Sequence, residues 1–431
     1  YRMFEYSNFT SLNLSSFDTS KVTDMSSMFS RANISSLDIS SLNTSSVRIM
    51  DNMFRESYFT SIDLSNFNTE SAVLMGSMFY HCLNLTSLDL SNFNMKNVYD
   101  ISGMFQDCTR LKHIIFWKLG TNGDTDMSRM FQYTTFEFLD LTNLSTTIPR
   151  NMESLFSGCK QLKSIKFGAF DTSQVTNFSH MFYGCESIVS LDLSFFKTSK
   201  VKNMKYMFCY CENLKYLNIN GFDTSSVQNF ESMFYRCYSL EYLDLSHFNT
   251  LSVVYASYMF YRCHSLKRLD ISSFNTPNVI NIEYMFAFNY NLTSLDLSKF
   301  NTSKAENIDS LFWGCESLTS LNLSNFDTSK VTKIGNMFSG CHSLKILDIS
   351  TFNTRNVNSM VNMFYECSNL MSLDLSHFKT DNVDNMGSMF CGCNSLNYLN
   401  ISSFNTSLVS WMGEYFKDCW NLTSLDLSSF D

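Results

Sequence analysis

The sequence predicts an α/β solenoid: a stack of about 17 coils, each a short parallel strand followed by a short helix or 3-10 segment. Three observations lead there. A phenylalanine returns every 25 or 26 residues without a miss, from Phe4, Phe29, Phe54 and Phe79 onward to Phe416. Each interval contains a stretch in which apolar and polar residues alternate, and then a stretch whose apolar residues lie three or four apart. A fixed period in this range marks an array whose repeats bury their apolar faces only against their neighbours. At roughly 4.8 Å per coil, the spacing of adjacent strands, such a stack would be about 80 Å long.

The coil from Met181 illustrates the elements. Ile188 to Ser194 alternates, which is the period-two pattern of a half-buried strand. Leu191 and Leu193 point inward, whereas Ser190 and Asp192 face out. Val201, Met204, Met207 and Phe208 then follow helical spacing. Thr198 and Ser199 precede them, where hydroxyls cap a helix start. The resulting helix is short enough to need its neighbours to persist.

Other residues keep step with the phenylalanines. Fourteen of the seventeen follow a methionine, which reads as flexible core filler rather than a soft-metal stripe. Twelve of the fourteen cysteines occupy the position three residues after the phenylalanine, from Cys82 and Cys108 to Cys419. Adjacent coils approach closely enough for disulfides by distance alone, but side chains of a parallel ladder point the same way, so buried free thiols are expected. Cysteine is missing from the four coils that are one residue shorter, which ties it to the 26-residue geometry. Cys209 with Cys211 and Cys391 with Cys393 are the only close pairs, and neither has the spacing or nearby histidines of a zinc site. No nucleophile–base set and no phosphate-binding glycine loop occurs. The sequence therefore points to no enzyme, no metal and no cofactor.

Composition narrows the rest. The charge of −9 is a modest acidic excess, and no basic stripe follows one face, which argues against nucleic acid. No apolar run approaches the roughly 18 residues of a membrane span. Proline occurs only at Pro149 and Pro277, and nothing resembling a linker breaks the period. One domain over 1–431 is expected, with regular coils over 1–103, irregular coils over 104–155 and regular 26-residue coils over 156–431. The first and last residues already belong to repeats, and no polar capping repeat is visible. The expectation is a segment of a longer chain, with end-to-end stacking into a fibre as the alternative.

Leu422 to Ser428 (LTSLDLS), Phe338-Ser339-Gly340-Cys341 and the run Phe326 to Val331 resemble the 26-residue bacterial surface protein repeat, a relative of the BspA-like leucine-rich repeats. The resemblance covers nearly the whole chain; the coils from Ile114 to Pro149 depart from it. It implies a right-handed, leucine-rich-repeat-like stack at the cell surface or outside the cell, with a role in adhesion or host contact. Its motifs are scaffold, so it transfers no binding residue.

Binding is therefore sought where outward columns cease to repeat. The exposed strand column carries Asp38, Asp63, Asp89, Asp140, Asp192, Asp244, Asp270, Asp296, Asp348, Asp374 and Asp426, broken by Asn218, Asn322, Asn400, Lys166 and Ile115. Neighbouring unit charges about 4.8 Å apart repel by roughly 1 kcal/mol in water. Hydrogen bonding to the adjacent serines is the expected compensation, ahead of bridging calcium. Eleven of the 21 tyrosines lie between Tyr206 and Tyr290. Tyr216, Tyr242 and Arg268 share the strand column on three successive coils and form the first candidate contact patch, since tyrosine and arginine are enriched at binding hot spots. Trp117, in the irregular stretch from Lys112 to Gly123, is the second. Thirteen Asn-X-Ser/Thr sequons, among them those at Asn43, Asn301 and Asn405, follow from the repeat itself. The function so read is non-enzymatic interaction with a protein or glycan on another cell or matrix, or with copies of the same chain. The rival is a structural role, with the rod packed into a fibre, coat or shell.

Overall fold

The computed structural model describes all residues except 10, 35, 118, 119, 122, 145–147, 169 and 431. The chain forms two compact units, Tyr1–Gly221 and Phe222–Asp431. In both, the repeated phenylalanine is a stacked ladder through the core. Phe29 and Phe54 lie 5.9 Å apart in the first unit, and Phe260 and Phe286 lie 5.7 Å apart in the second, with ring planes 2° and 8° from parallel. All four rings are fully buried. The spacing exceeds the inter-strand distance because parallel rings stack with an offset.

The first unit contains strands β1 (Ser87–Asp89), β2 (His113–Ile115), β3 (Asp124–Asp126), β4 (Phe138–Leu141), β5 (Ile148–Asn151), β6 (Ser164–Phe167), β7 (Ser190–Asp192) and β8 (Tyr216–Asn218). They pair in parallel as β1–β2, β3–β5, β4–β6 and β7–β8. The second unit contains β9 (Tyr242–Asp244), β10 (Arg268–Asp270), β11 (Ser372–Asp374) and β12 (Tyr398–Asn400), paired as β9–β10 and β11–β12. This is a parallel β-solenoid. A second column is joined by single parallel bridges, such as Asp24–Ile49 and Ile49–Leu74 in the first unit and Tyr255–Asn281 in the second. The irregular stretch adds to that column: β3 and β5 lengthen a bridge into a strand pair, with a register shift at Thr125/Asp126.

Two expectations are corrected. The described residues hold twelve strands, so seventeen coils each bearing a strand are not found. They hold only two short 3-10 helices, Thr142–Leu144 and Thr172–Gln174, and no α-helix. The backbone explains why the helical spacing misled. Around Phe260, alternate amides leave the coil: Tyr258, Phe260 and Arg262 donate to the Glu283, Met285 and Ala287 carbonyls of the next coil, each at 2.9 Å. The amides between them, those of Met259, Tyr261 and Cys263, close tight turns onto carbonyls three residues back. An α-helix needs every amide to reach four residues back. Moreover, Tyr258 and Arg262 have φ of 58° and 59°, a left-handed conformation that ends any right-handed helix. Two consecutive turns repeat apolar positions at nearly the helical period, hence the false signal.

The left-handed residues are as regular as the phenylalanines. All 34 of them among the described residues lie two positions before or two after a ladder phenylalanine, and only six are glycine. The segment that looked helical is a double turn welded to its neighbours on both sides.

Candidate interaction surface

Most regular strands present one buried leucine between two outward residues, as in Tyr242, Leu243 and Asp244. The column aspartates do not wait for a cation. The Ser246, Ser272 and Ser298 amides donate to Asp244, Asp270 and Asp296 at 2.9, 3.1 and 2.9 Å. Hydrogen bonds from Ser246 and Ser298 hold the Asp244 and Asp296 carboxyls below the usual aspartate range. No group of three metal-ligating side chains occurs among the described residues. The serine columns therefore compensate the aspartates, and each carboxylate fixes the turn that follows its strand.

Tyr242 and Arg268 are brought together. They are register partners across β9–β10. The Arg268 guanidinium lies over the Tyr242 ring, 5.5 Å from its centroid, and half of Tyr242 is exposed. No carboxylate pairs with Arg268 among the described residues, so stacking orients a cation whose donors face solvent. Both line a shallow concavity of about 220 Å³ with Asp270, Ser272, Ser294 and Asp296. Tyr216 lies in the other unit, on β8, where its register partner is Ser190 and it is 61% exposed.

Trp117 is not a surface residue. It is 0% exposed, and its ring meets Phe116 edge-on at 5.7 Å. An apolar side chain displaced from the regular pattern has filled the core beside the ladder, so the expected second patch is corrected to a packing element. Lys118, Leu119 and Asn122 of the same stretch lie outside the described residues.

The cysteine column also gains a reason. All fourteen cysteines are free. The Cys263 thiol donates to the Phe234 carbonyl at 3.1 Å, and Cys341 and Cys367 do likewise to Phe312 and Phe338. Ser57 and Asn289 fill the same column and donate to Phe29 and Phe260, each at 3.0 Å. Asn289 stands in a 26-residue coil and Ala32 in a shorter one, so the column selects small side chains, most of them donors, rather than following coil length. Burial pushes the Cys82 thiol up to about 12, which keeps it protonated and inert.

One feature escaped the sequence reading. Most of the clustered tyrosines flank the ladder phenylalanines instead of sitting in the strand column. In the second unit Tyr235 stacks on Tyr261 at 4.9 Å, Tyr258 on Tyr284 at 4.8 Å, and His264 between Tyr238 and Tyr290 at 4.8 Å from each. Phe288 continues to Trp313 at 4.8 Å. The signal was present: these residues stand two before, or one, two or four after, successive ladder phenylalanines.

A repeat scaffold built of parallel strands and welded turns, with outward columns free to vary, is the class this architecture defines. The chain belongs to the family described as Mycoplasma protein of unknown function, DUF285, which matches residues 1–117, 125–241, 188–294, 237–346, 287–399 and 337–431. No curated protein matches it in sequence. Among solved structures it is similar to a leucine-rich repeat protein from Bacteroides ovatus, with 19% identity, 81% of both chains covered and a TM-score of 0.47. It is also similar to a leucine rich cell surface protein from Faecalibacterium prausnitzii, with 16% identity over 82% of this chain and 83% of that one and a TM-score of 0.38. A leucine-rich repeat protein from Eubacterium ventriosum shares 16% identity over 86% and 87%, with a TM-score of 0.37.

Proposed function

We propose that the chain is a non-enzymatic interaction scaffold, displayed at a cell surface or outside the cell, that engages a protein or glycan partner through its exposed strand column. The observation that carries this reading is the Tyr242–Arg268 pair: an exposed aromatic ring carrying a guanidinium that has no carboxylate partner among the described residues, at the rim of a concavity. Both side chains are amphipathic, so they bury apolar area on a partner and still donate hydrogen bonds. The surrounding column is saturated by its own serines and offers little competing contact. The surface location rests on the likeness of the repeat to bacterial surface proteins; no helix among the described residues is long and apolar enough to cross a membrane.

The test uses the purified, fluorescently labelled chain and intact epithelial cells in flow cytometry. Saturable binding that falls by about tenfold in the Tyr242→Ala/Arg268→Ala variant, at an unchanged melting temperature, is expected. Tyr216→Ala, made separately, reports whether the column of the first unit contributes. Equal binding by the wild type and the double variant would overturn the assignment.

A further inference from the structure

The aromatic band of the second unit encloses a cationic cluster that the strand-column reading does not use. Arg262 lies over two rings, Tyr261 at 5.3 Å and Phe288 at 5.1 Å. Its Nε is buried with no hydrogen-bond partner, and no carboxylate pairs with it among the described residues. Arg236 occupies the same position one coil earlier, its guanidinium 5.5 Å from the Tyr235 ring. His264, held between Tyr238 and Tyr290, is also buried at Nε2 without a partner. Burial first, and then the charges of Arg262 and Arg236, hold its imidazole below the usual histidine value. Arg262 and His264 thus lie close enough for the guanidinium to act on the imidazole, in a chain whose net charge is −9.

Arg262 carries its charge against two aromatic rings, with no ion pair to a carboxylate among the described residues. A buried donor left unpaired costs about 1–3 kcal/mol. An anionic group at the open edge of the Arg262 guanidinium would supply the missing counter-charge. We propose that this cluster is a binding site for a carboxylate carried on an acidic peptide, with Arg262 as its principal donor and His264 beside it.

Three features favour a peptide carboxylate. Stacking on Tyr261 and Phe288 fixes the guanidinium plane and leaves its edge for the two parallel hydrogen bonds a carboxylate accepts. The neighbouring rings are already face to face at 4.8–4.9 Å, so their faces are closed to a sugar and their edges remain. Ring edges and the tilted Trp313 accommodate the apolar side chains that flank an acidic residue in a peptide.

The experiment measures fluorescence anisotropy of a labelled short peptide of alternating Glu and Leu, with the Gln-for-Glu peptide as control and dextran sulfate as a competing polyanion. The intact chain should bind the acidic peptide, more weakly as salt rises, and should ignore the neutral one. Arg262→Met, which keeps an apolar stem on the rings, should weaken binding by about tenfold or more, and Arg262→Lys should restore part of it. Should Arg262→Met melt early, His264→Gln together with the salt dependence of the wild type carries the test. Equal binding of both peptides, or no loss in either variant, overturns the proposal. Binding of dextran sulfate without the acidic peptide overturns it in favour of a sulfated glycan.

Discussion

At the scale of single residues, stacking is secured by side chains that complete the backbone ladder. The buried threonine that recurs between double turns shows how. Thr328 is buried, and its hydroxyl donates to the Asn353 carbonyl at 3.0 Å while accepting from the Asn353 amide at 2.7 Å. Thr354 and Lys379, then Thr380 and Asn405, repeat the arrangement. One hydroxyl thus satisfies both backbone groups of the residue in the next coil, where no strand pairs them. Thr328→Val keeps the shape and deletes the splice. The expected cost is about 1–3 kcal/mol, because two polar groups lose their partner while apolar packing is retained. Thr328→Ser should cost less. Urea unfolding measures the loss, and faster hydrogen exchange at the Asn353 amide locates it; unchanged exchange there would refute the splice. The sequence displayed the threonine column but read Thr198 as a helix cap, because a cap and a splice place the same hydroxyl at the same spacing.

At the scale of elements, the double turn replaces the helix, and its cost lies in left-handed backbone. Each non-glycine residue there is strained by roughly 1–2 kcal/mol, yet 28 of the 34 are not glycine. What they gain is a row of side chains spaced one coil apart, and in the second unit that row is the tyrosine–arginine band. Where glycine is kept, the reason differs by site. At Gly184 an added methyl would meet nothing closer than 3.7 Å, so alanine adds only the conformational strain of φ +68°. At Gly392, φ +75°, the methyl would lie 3.0 Å from Cγ and 3.2 Å from Cα of Glu366. Gly184→Ala is therefore expected to cost about 1 kcal/mol and Gly392→Ala distinctly more, because backbone must move. Thermal melts of the two variants decide it, and equal shifts would exclude the steric argument. The period, the strand column and the buried ladder were all legible beforehand, since burial alone sets them. Helix against double turn was not, because both give the same apolar spacing. For the same reason the tyrosine cluster could be seen but not placed, and Trp117, legible as a defect, gave no sign of pointing inward.

At the scale of the whole molecule, repetition turns a local device into a collective response to pH. Thirteen described aspartates are held below the ordinary value by the hydrogen bonds of the turns they close. A carboxyl whose folded value is depressed contributes stability that is fully present above its unfolded value of about 3.9 and is lost as pH falls through the folded one. Against them stand Asp51, Asp107 and Asp309, raised chiefly by burial. Asp51 is the clearest, pushed up to about 6 by burial, with the charges of Asp100 and Asp24 adding to it. For such a group the sign reverses: its charged form is penalised in the fold, so it lowers stability as pH rises from about 4 to about 6. The two sets are separable in one experiment, urea unfolding of the wild type and of Asp51→Asn across pH. The asparagine keeps an oxygen for the Gly76 amide that now donates to Asp51 at 2.7 Å. The wild type should lose stability steeply below about pH 4, as the turn aspartates take up protons. Asp51→Asn should be the more stable protein at pH 7, by about 1 kcal/mol after allowance for partial exposure, and the two curves should converge below about pH 4. A wild-type urea midpoint unchanged down to pH 3 would deny the turn aspartates their role. A constant offset between the curves at every pH would assign the Asp51 effect to packing instead of charge.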